Sequence, residues 1–548
     1  MAASVVTGVL GFAVLTRAHF SGSANALNID LAHPDILVRS ARLSELPRDL
    51  VRAPLLKGVL TDEVVHYYAD HPTRLSLVGT LKRLAFEHQL NWGDRVLATL
   101  MDAPGELSLW RDDKGRPEHF MLVVQQNLVT QLVQQLGRVV ATDSQLSLID
   151  EVDGPHGQAK VYALQFDAHH QWAVVAQGDR LVVLSDLGML LDGSQLTRAT
   201  RRALSEALRG PVAEGAGAPA LSTQARGLGL SAFTGLRQDI TARADYLAMG
   251  YQGFFPGLDA LRVVHADGGG WQLSARLSAA ALQAWREGSR SLWQSVPAGH
   301  ALCAALPMAW ASGQQVLQPV VQPEAMKLFT QLAPVAGICW NSGGGLDAPL
   351  LAARLSQPAR PADDDAVAAL LTGVTRKQAG PGSGLPKGTA VAPVSSEALA
   401  GGQGRLWVRK VPHGMGTVVD GQVTLHRVSA VRLGQTVMAS IDQDALGQAQ
   451  SVAQRSYPAM ADRLKSGEVP VLVVDSAALA NLLEAETFAV LTPDGTPTFH
   501  RVARQLLPAR LKALRELGRW QVNLPAAATL PTAGDAPGWV DLAVRSSR

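Results

Sequence analysis

Short apolar runs separated by Asp-Gly and Gly-Gly pairs recur along this chain of 548 residues, and they commit it to antiparallel strand pairing. Residues 107–110 and 120–124 flank a loop containing Asp113, Lys114 and Gly115. Residues 146–149 precede Asp153-Gly154, and residues 160–166 lead through Asp167, Ala168, His169 and His170 into 172–175. Residues 261–264 and 271–277 flank Asp267-Gly268-Gly269-Gly270. Val418-Val419 and residues 423–425 flank Asp420-Gly421, and residues 489–491 and 498–502 flank Asp494-Gly495. Such pairs supply the positive φ values that tight hairpins require, so each site predicts a hairpin.

Helical patterns lie between the hairpins. Leu128, Leu132 and Leu136, with Val129 and Val133, make one apolar stripe at helical spacing. Residues 198–208 predict a helix stopped by Gly210. Asp363, Asp364 and Asp365 precede Val367, Leu370 and Leu371, with Gly373 beyond, which matches helix termini. Pro508 opens a helix carrying Leu511, Leu514 and Leu517. One juncture recurs: an apolar strand running into an aspartate and then a helix, at Asp186, Asp442 and Asp475. The expected fold class is therefore α+β, with mostly antiparallel sheets built from hairpins, packed helices, and two or more related lobes after an N-terminal apolar helix.

A chain of 548 residues exceeds the size at which one hydrophobic core keeps growing. Gly-, Ala-, Pro- and Ser-rich stretches at 210–229, 357–361 and 379–388 read as connections. The division expected is an anchor or signal-like segment at 1–26, a first α+β lobe at 27–212, a linker at 213–239, a middle α+β segment at 240–361 and a C-terminal α+β lobe at 362–548.

Residues 2–16 carry no charged side chain. That run is shorter than the ~20 apolar residues that cross a bilayer. It fits a secretory signal cleaved after Ala26, an uncleaved inner-membrane anchor, or a buried core helix; export or anchoring is the expectation carried forward. Apolar residues make up 47% and charged residues 18%, which excludes a disordered chain. A net charge of +2 without a basic block predicts no nucleic-acid partner. Cys303 and Cys339 either pair, stabilising the fold by roughly 3–4 kcal/mol, or stay as buried thiols. Neither belongs to a Cys-x-x-Cys motif, which disfavours a zinc or thioredoxin-type site.

Candidate chemistry is sparse. Asp186, Asp442 and Asp475 suit acid–base work at strand ends, but N-capping explains their recurrence without chemistry. His169 and His170 beside Asp167 point to opposite faces if extended, and they occupy a turn. His66 and His71 flank Asp70 without a His-Glu-x-x-His pattern. Ser231, in Gly229-Leu230-Ser231-Ala232-Phe233, lacks the second glycine of a nucleophile elbow, and no Ser-x-x-Lys occurs. The stretch 380–388 places Lys387 before its last glycine, so it reads as a linker rather than a phosphate loop. Arg198, Arg201 and Arg202, and also Arg510, Lys512, Arg515 and Arg519, suit either anionic lipid or a solvated helix face. No catalytic, cofactor-binding or metal-binding residue is assigned.

Two blocks carry a resemblance. The first runs Leu46-Pro47-Arg48-Asp49-Leu50, Pro54-Leu55-Leu56, Leu60-Thr61-Asp62-Glu63 and Tyr67-Tyr68, then Gly79-Thr80-Leu81-Lys82-Arg83 to Glu87-His88. The second is Ala244-Asp245-Tyr246-Leu247, Gly250-Tyr251-Gln252 and Phe254-Phe255-Pro256. From about Leu27 to the C-terminus the chain resembles the YfaA-like family of proteobacterial proteins, a domain of unknown function. The resemblance implies an envelope protein encoded near an alpha-2-macroglobulin-like, protease-trapping protein of the periplasm, and it transfers no site residues. The function expected is a non-enzymatic cell-envelope protein acting through protein–protein contacts, held by its N-terminal segment at the inner membrane. The alternative is an envelope hydrolase whose site is assembled from distant residues such as Asp167, His169 or a strand-end aspartate. A peptide binder working by strand addition requires an exposed sheet edge.

Overall fold

The computed structural model describes residues 27, 29–46, 49–50, 102–112, 114–125, 146–165, 171–192, 195–209, 222–247, 255, 257–318, 321–375, 392–399, 402, 404–412, 425–490, 497–525 and 537–547. The segment 1–26, the Leu128–Leu136 stripe and the 418–424 turn region lie outside them. The chain divides into two compact units, one of residues 1–250 and 259–276, the other of residues 251–258 and 277–548.

In the first unit the strands are β1 (Ile36–Ser40), β2 (Gly105–Arg111), β3 (Pro117–Gln125), β4 (Leu146–Gly154), β5 (Gly157–Gln165), β6 (Gln171–Gln177) and β7 (Arg180–Leu184). They are followed by a two-stranded ribbon, β8 (Leu191–Asp192) and β9 (Gln195–Leu196), then β10 (Leu236–Arg243), β11 (Leu258–Ala266) and β12 (Trp271–Leu277). Antiparallel registers set the order β4-β5-β6-β7-β3-β2-β1-β10-β11. Helix α1 (Arg198–Arg209) presses Leu204 and Leu208, spaced four apart, into a core with Met121, Val161, Val175, Val182 and Leu184. Each such buried leucine contributes about 1.5–3 kcal/mol.

The second unit contains β13 (Leu302–Pro307), β14 (Leu332–Trp340), β15 (Leu350–Leu355), β16 (Ser395–Ala398), β17 (Gly404–Pro412), β18 (Leu425–Leu433), β19 (Thr436–Ser440), β20 (Pro470–Asp475), β21 (Arg519–Asn523) and β22 (Gly538–Ser547). Their order is β16-β17-β18-β19-β15-β14-β13-β20-β21-β22. Helix α2 (Ala279–Trp293) anchors two tryptophans: Trp285 donates to the Ala305 carbonyl at 2.8 Å and Trp293 to that of Pro470 at 2.7 Å. Helix α3 (Pro361–Val374) packs Val367 and Leu371 against Leu355, Trp407 and Ala430.

The two units share one strand order. Counting strands from the start of each unit and setting the ribbon aside, β1 to β7 with β10 and β11 pair in the same sequence as β13 to β21. Backbone bonds fix the correspondence residue by residue. Asp35 N–H donates to Leu109 O and Arg243 N–H to Asp35 O, both at 2.9 Å. Likewise Ala301 N–H donates to Trp340 O at 2.8 Å and Asp475 N–H to Ala301 O at 2.9 Å. Two residues further along each strand, Leu37 therefore corresponds to Cys303. The opposed residues Ser108 and Cys339 correspond as well.

Several expectations are corrected. The separate hairpin-built sheets expected of an α+β protein give way to extended antiparallel sheet, 20 strands among the described residues, with β8–β9 standing apart, while the N-terminal apolar helix of that expectation falls on residues outside the described ones. Turn chemistry is local to one hairpin and carries no information on the edges along which hairpins join. β1 on β10, β3 on β7 and β15 on β19 are joins of that second kind. The hairpin expected at Asp494-Gly495 is replaced by two helices, α5 (Ser476–Val490) and α6 (Pro497–Glu516). The Ala-, Leu- and Glu-rich sequence of α5 keeps its helical preference through the β-branched residues at its end. Arg515 of α6 binds Asn481 at 3.1 Å and also Glu484, tying the two helices together. Pro508 stands inside α6 rather than opening it. Strand β4 continues through Asp153-Gly154, and the turn follows at Pro155-His156, closed by Gly157 at φ +99°.

Candidate functional site

The strand-end aspartates hold helix termini. Asp186 accepts from Gly188 N–H at 2.6 Å. Asp442 caps helix α4 (Gln443–Ala453) by accepting from Asp444 N–H at 2.9 Å and Ala445 N–H at 3.1 Å. Asp475 accepts from Ala478 N–H at 3.1 Å and is paired with Arg519, also at 3.1 Å. Each therefore satisfies backbone donors that a helix start leaves open. Arg201 pairs with Asp150, Arg202 with Glu206 at 2.9 Å and Lys512 with Glu516 at 3.9 Å, as on a solvated helix face. Asp167, His169, His170, His66, Asp70, His71 and Lys387 lie outside the described residues.

In the first unit a row of charge crosses three neighbouring strands. Arg39 on β1 lies opposite Glu106 on β2 and Asp239 on β10. All three are buried, at 3%, 6% and 1% exposure, where an unpaired charge would be prohibitive. Asp239 is clamped by two guanidinium groups. Arg39 reaches it through Nε at 3.0 Å and also through Nη2, while Arg262 places Nε and Nη2 at 2.9 Å from its two oxygens. Arg39 also donates to the Ser231 carbonyl at 2.9 Å and stacks 5.5 Å from the Phe233 ring centre. Glu106 is less well served. Its Oε1 and the neighbouring Ser108 Oγ have no partner. Burial raises its carboxyl pKa, opposed by a hydrogen bond from Ser222 and the charge of Arg39.

Beyond this row, Asp49 accepts from Gln238 at 3.0 Å, and Arg237 bridges Glu45 at 2.5 Å and Asp49 at 3.4 Å. They border a shallow depression lined by Ala41, Arg42, Glu45, Arg237, Gln238 and Asp267. The Asp239 carboxylate is saturated by its guanidinium donors, so the row acts as an electrostatic cross-tie between strands.

A second buried cluster lies in the other unit. Cys303 and Cys339 face each other across β13 and β14 and form a disulfide, which settles the choice between pairing and free thiols. Beside it is His300, three residues before Cys303, 3% exposed, with no partner for either ring nitrogen. Burial pushes its imidazole down to about 4, opposed by the charge of Asp442. Asp442 itself keeps one oxygen, Oδ2, buried and unpartnered. A side chain at Gly344 would place its Cβ 2.7 Å from that oxygen, so the 341–345 turn closes over the carboxylate through a glycine. The structure thus brings together Cys303, Cys339 and Asp442, and keeps Asp186 in the other unit. Sequence reasoning passed over His300; its signal was the His-x-x-Cys spacing to Cys303.

Residues 5–543 match a family model described as an uncharacterized protein conserved in bacteria (DUF2138). The chain is 29% identical over 520 residues to the uncharacterized protein YfaA of Escherichia coli (strain K12), covering 91% of this chain and 88% of the relative. No solved structure matches it. The family match spans nearly the whole sequence, both units included, and this chain belongs to the DUF2138 family of bacterial proteins.

Proposed function

We propose that this chain is an exported, non-enzymatic protein of the cell envelope that works through protein–protein contacts. The observation that carries the proposal is the buried Cys303–Cys339 disulfide, because such bonds persist in oxidising compartments and are rare in the cytosol. The three strand-end aspartates are engaged in capping, which accounts for those candidates of the hydrolase alternative; Asp167 and His169 lie outside the described residues. For the contact itself, β4 forms an outer strand with no further partner among the described residues. On it Leu148 and Ile149 are 47% and 36% exposed, and strand edges of this kind accept an added strand. Among the described residues no helix is long and apolar enough to cross a membrane, so an anchor on this proposal falls to residues 1–26, which remain attached or are removed after Ala26. The partner implied by the family resemblance is an alpha-2-macroglobulin-like envelope protein.

Fractionation of cells under acid quench, with alkylation of free thiols and mass mapping of the N-terminus, tests location. Cys303 and Cys339 protected from alkylation in the envelope fraction are expected; free thiols in a cytoplasmic fraction overturn the proposal. Cross-linking to the alpha-2-macroglobulin-like protein, weakened by Leu148→Lys, is expected of the contact.

A further inference from the structure

We propose that His300, Cys303 and Cys339 form a buried site for a single thiophilic metal ion, Zn²⁺ or Cu⁺, that becomes available when the disulfide is reduced. Their ligand atoms lie within 4.8 Å of one another, and all three residues are buried. Tetrahedral zinc takes sulfur at about 2.3 Å, which separates two thiolates by about 3.8 Å, and nitrogen at about 2.0 Å. Directly opposed cysteines on neighbouring antiparallel strands reach that separation by side-chain rotation, without moving the strands.

Three observations point to a ligand rather than to packing. The imidazole of His300 is buried with two unsatisfied nitrogens, one of which a coordinate bond would engage. Asp442 Oδ2 is likewise buried and unpartnered, and its charge acts on His300. A carboxylate beside a metal-bound histidine is the usual means of orienting that ring. Finally, the strand order does not require these residues. At the corresponding positions the first unit has Pro34, Leu37 and Ser108, and its strands pair in the same order. The Cys₂His set is an addition peculiar to the second unit.

The chemistry balances with a dithiol as reductant. Two electrons and two protons pass from the dithiol to the Cys303–Cys339 bond, giving two thiols and a cyclic disulfide. On metal binding the two thiols release their protons to solvent, and a water completes the coordination sphere. The proposal is independent of where the protein resides, since the oxidised pair and the metal are alternative occupants of one place.

The test uses the full chain, reduced with dithiothreitol, freed of reductant under nitrogen, and titrated with Co²⁺ and Zn²⁺. One Co²⁺ per chain is expected, with tetrahedral d–d bands and a thiolate-to-cobalt charge-transfer band. Zn²⁺ should displace it, and the oxidised chain should show neither band. His300→Gln, which leaves the disulfide intact for folding, should weaken Co²⁺ binding at least tenfold after reduction. Absence of the charge-transfer band, equal binding by the Cys303→Ser/Cys339→Ser variant, or loss of the circular dichroism of the fold on reduction would each overturn the proposal.

Discussion

Asp186 and Asp442 occupy the same place in two units built on one strand order. Across the first unit Leu37 opposes Ser108, Ser108 opposes Met121 and Met121 opposes Leu184, two residues before Asp186. Across the second, Cys303 opposes Cys339, Cys339 opposes Leu350, and the adjoining Leu351 opposes Ala439, three residues before Asp442. Both carboxylates then accept backbone N–H groups of the helical turn that follows. The recurring strand–aspartate juncture at these two positions therefore has a common structural cause. It ends the strand that docks the four-strand meander onto the first hairpin.

Capping predicts matched losses. Asp186→Ala and Asp442→Ala should each lower stability by about 1 kcal/mol, and the Asn variants by only a few tenths. Urea denaturation measures both. A loss confined to one of the two sites would break the equivalence.

The disulfide closes a loop of 36 residues, which in the chain-entropy account contributes about 4 kcal/mol. Dithiothreitol should lower the denaturation midpoint accordingly, and Cys303→Ala/Cys339→Ala should be insensitive to it. An unchanged midpoint for the reduced wild-type chain would contradict this.

Glu106 supplies a pH dependence of definite sign. Burial raises its folded pKa above 4.5, so the native state holds a proton that the unfolded chain has released. Its contribution is complete below about 4.5 and is lost as pH rises through the folded pKa. Glu106→Gln should therefore gain stability relative to wild type as pH increases, measured by denaturation from pH 4 to 8. Parallel pH profiles for the two proteins would refute it.

The clamp on Asp239 predicts a large penalty for removing one guanidinium. Arg39→Ala leaves a buried carboxylate with Arg262 as its one remaining guanidinium partner and should cost about 3–5 kcal/mol. Arg202→Ala, on an exposed pair, should change stability by less than about 1 kcal/mol. Comparable losses in the two variants would show that the buried row carries no special weight.

The amino-acid sequence alone determined the local chemistry. Turn pairs such as Asp267-Gly268 set antiparallel hairpins, and aspartates after apolar strands marked the caps at Asp186, Asp442 and Asp475, because the interacting groups lie within a few residues of each other. Tertiary structure decided what those hairpins build. Arg39 meets Asp239 across 200 residues, β7 returns to β3, and Cys303 aligns with Cys339 through strand register. On either side of Asp494-Gly495, at residues 489–490 and 498–502, helices stand where the turn signal predicted strands. Which edges join, and which polar groups share an interior, depends on the apolar surface buried by the whole arrangement. No window of neighbouring residues contains that quantity, which is why His300 gained meaning only once the strands were in place.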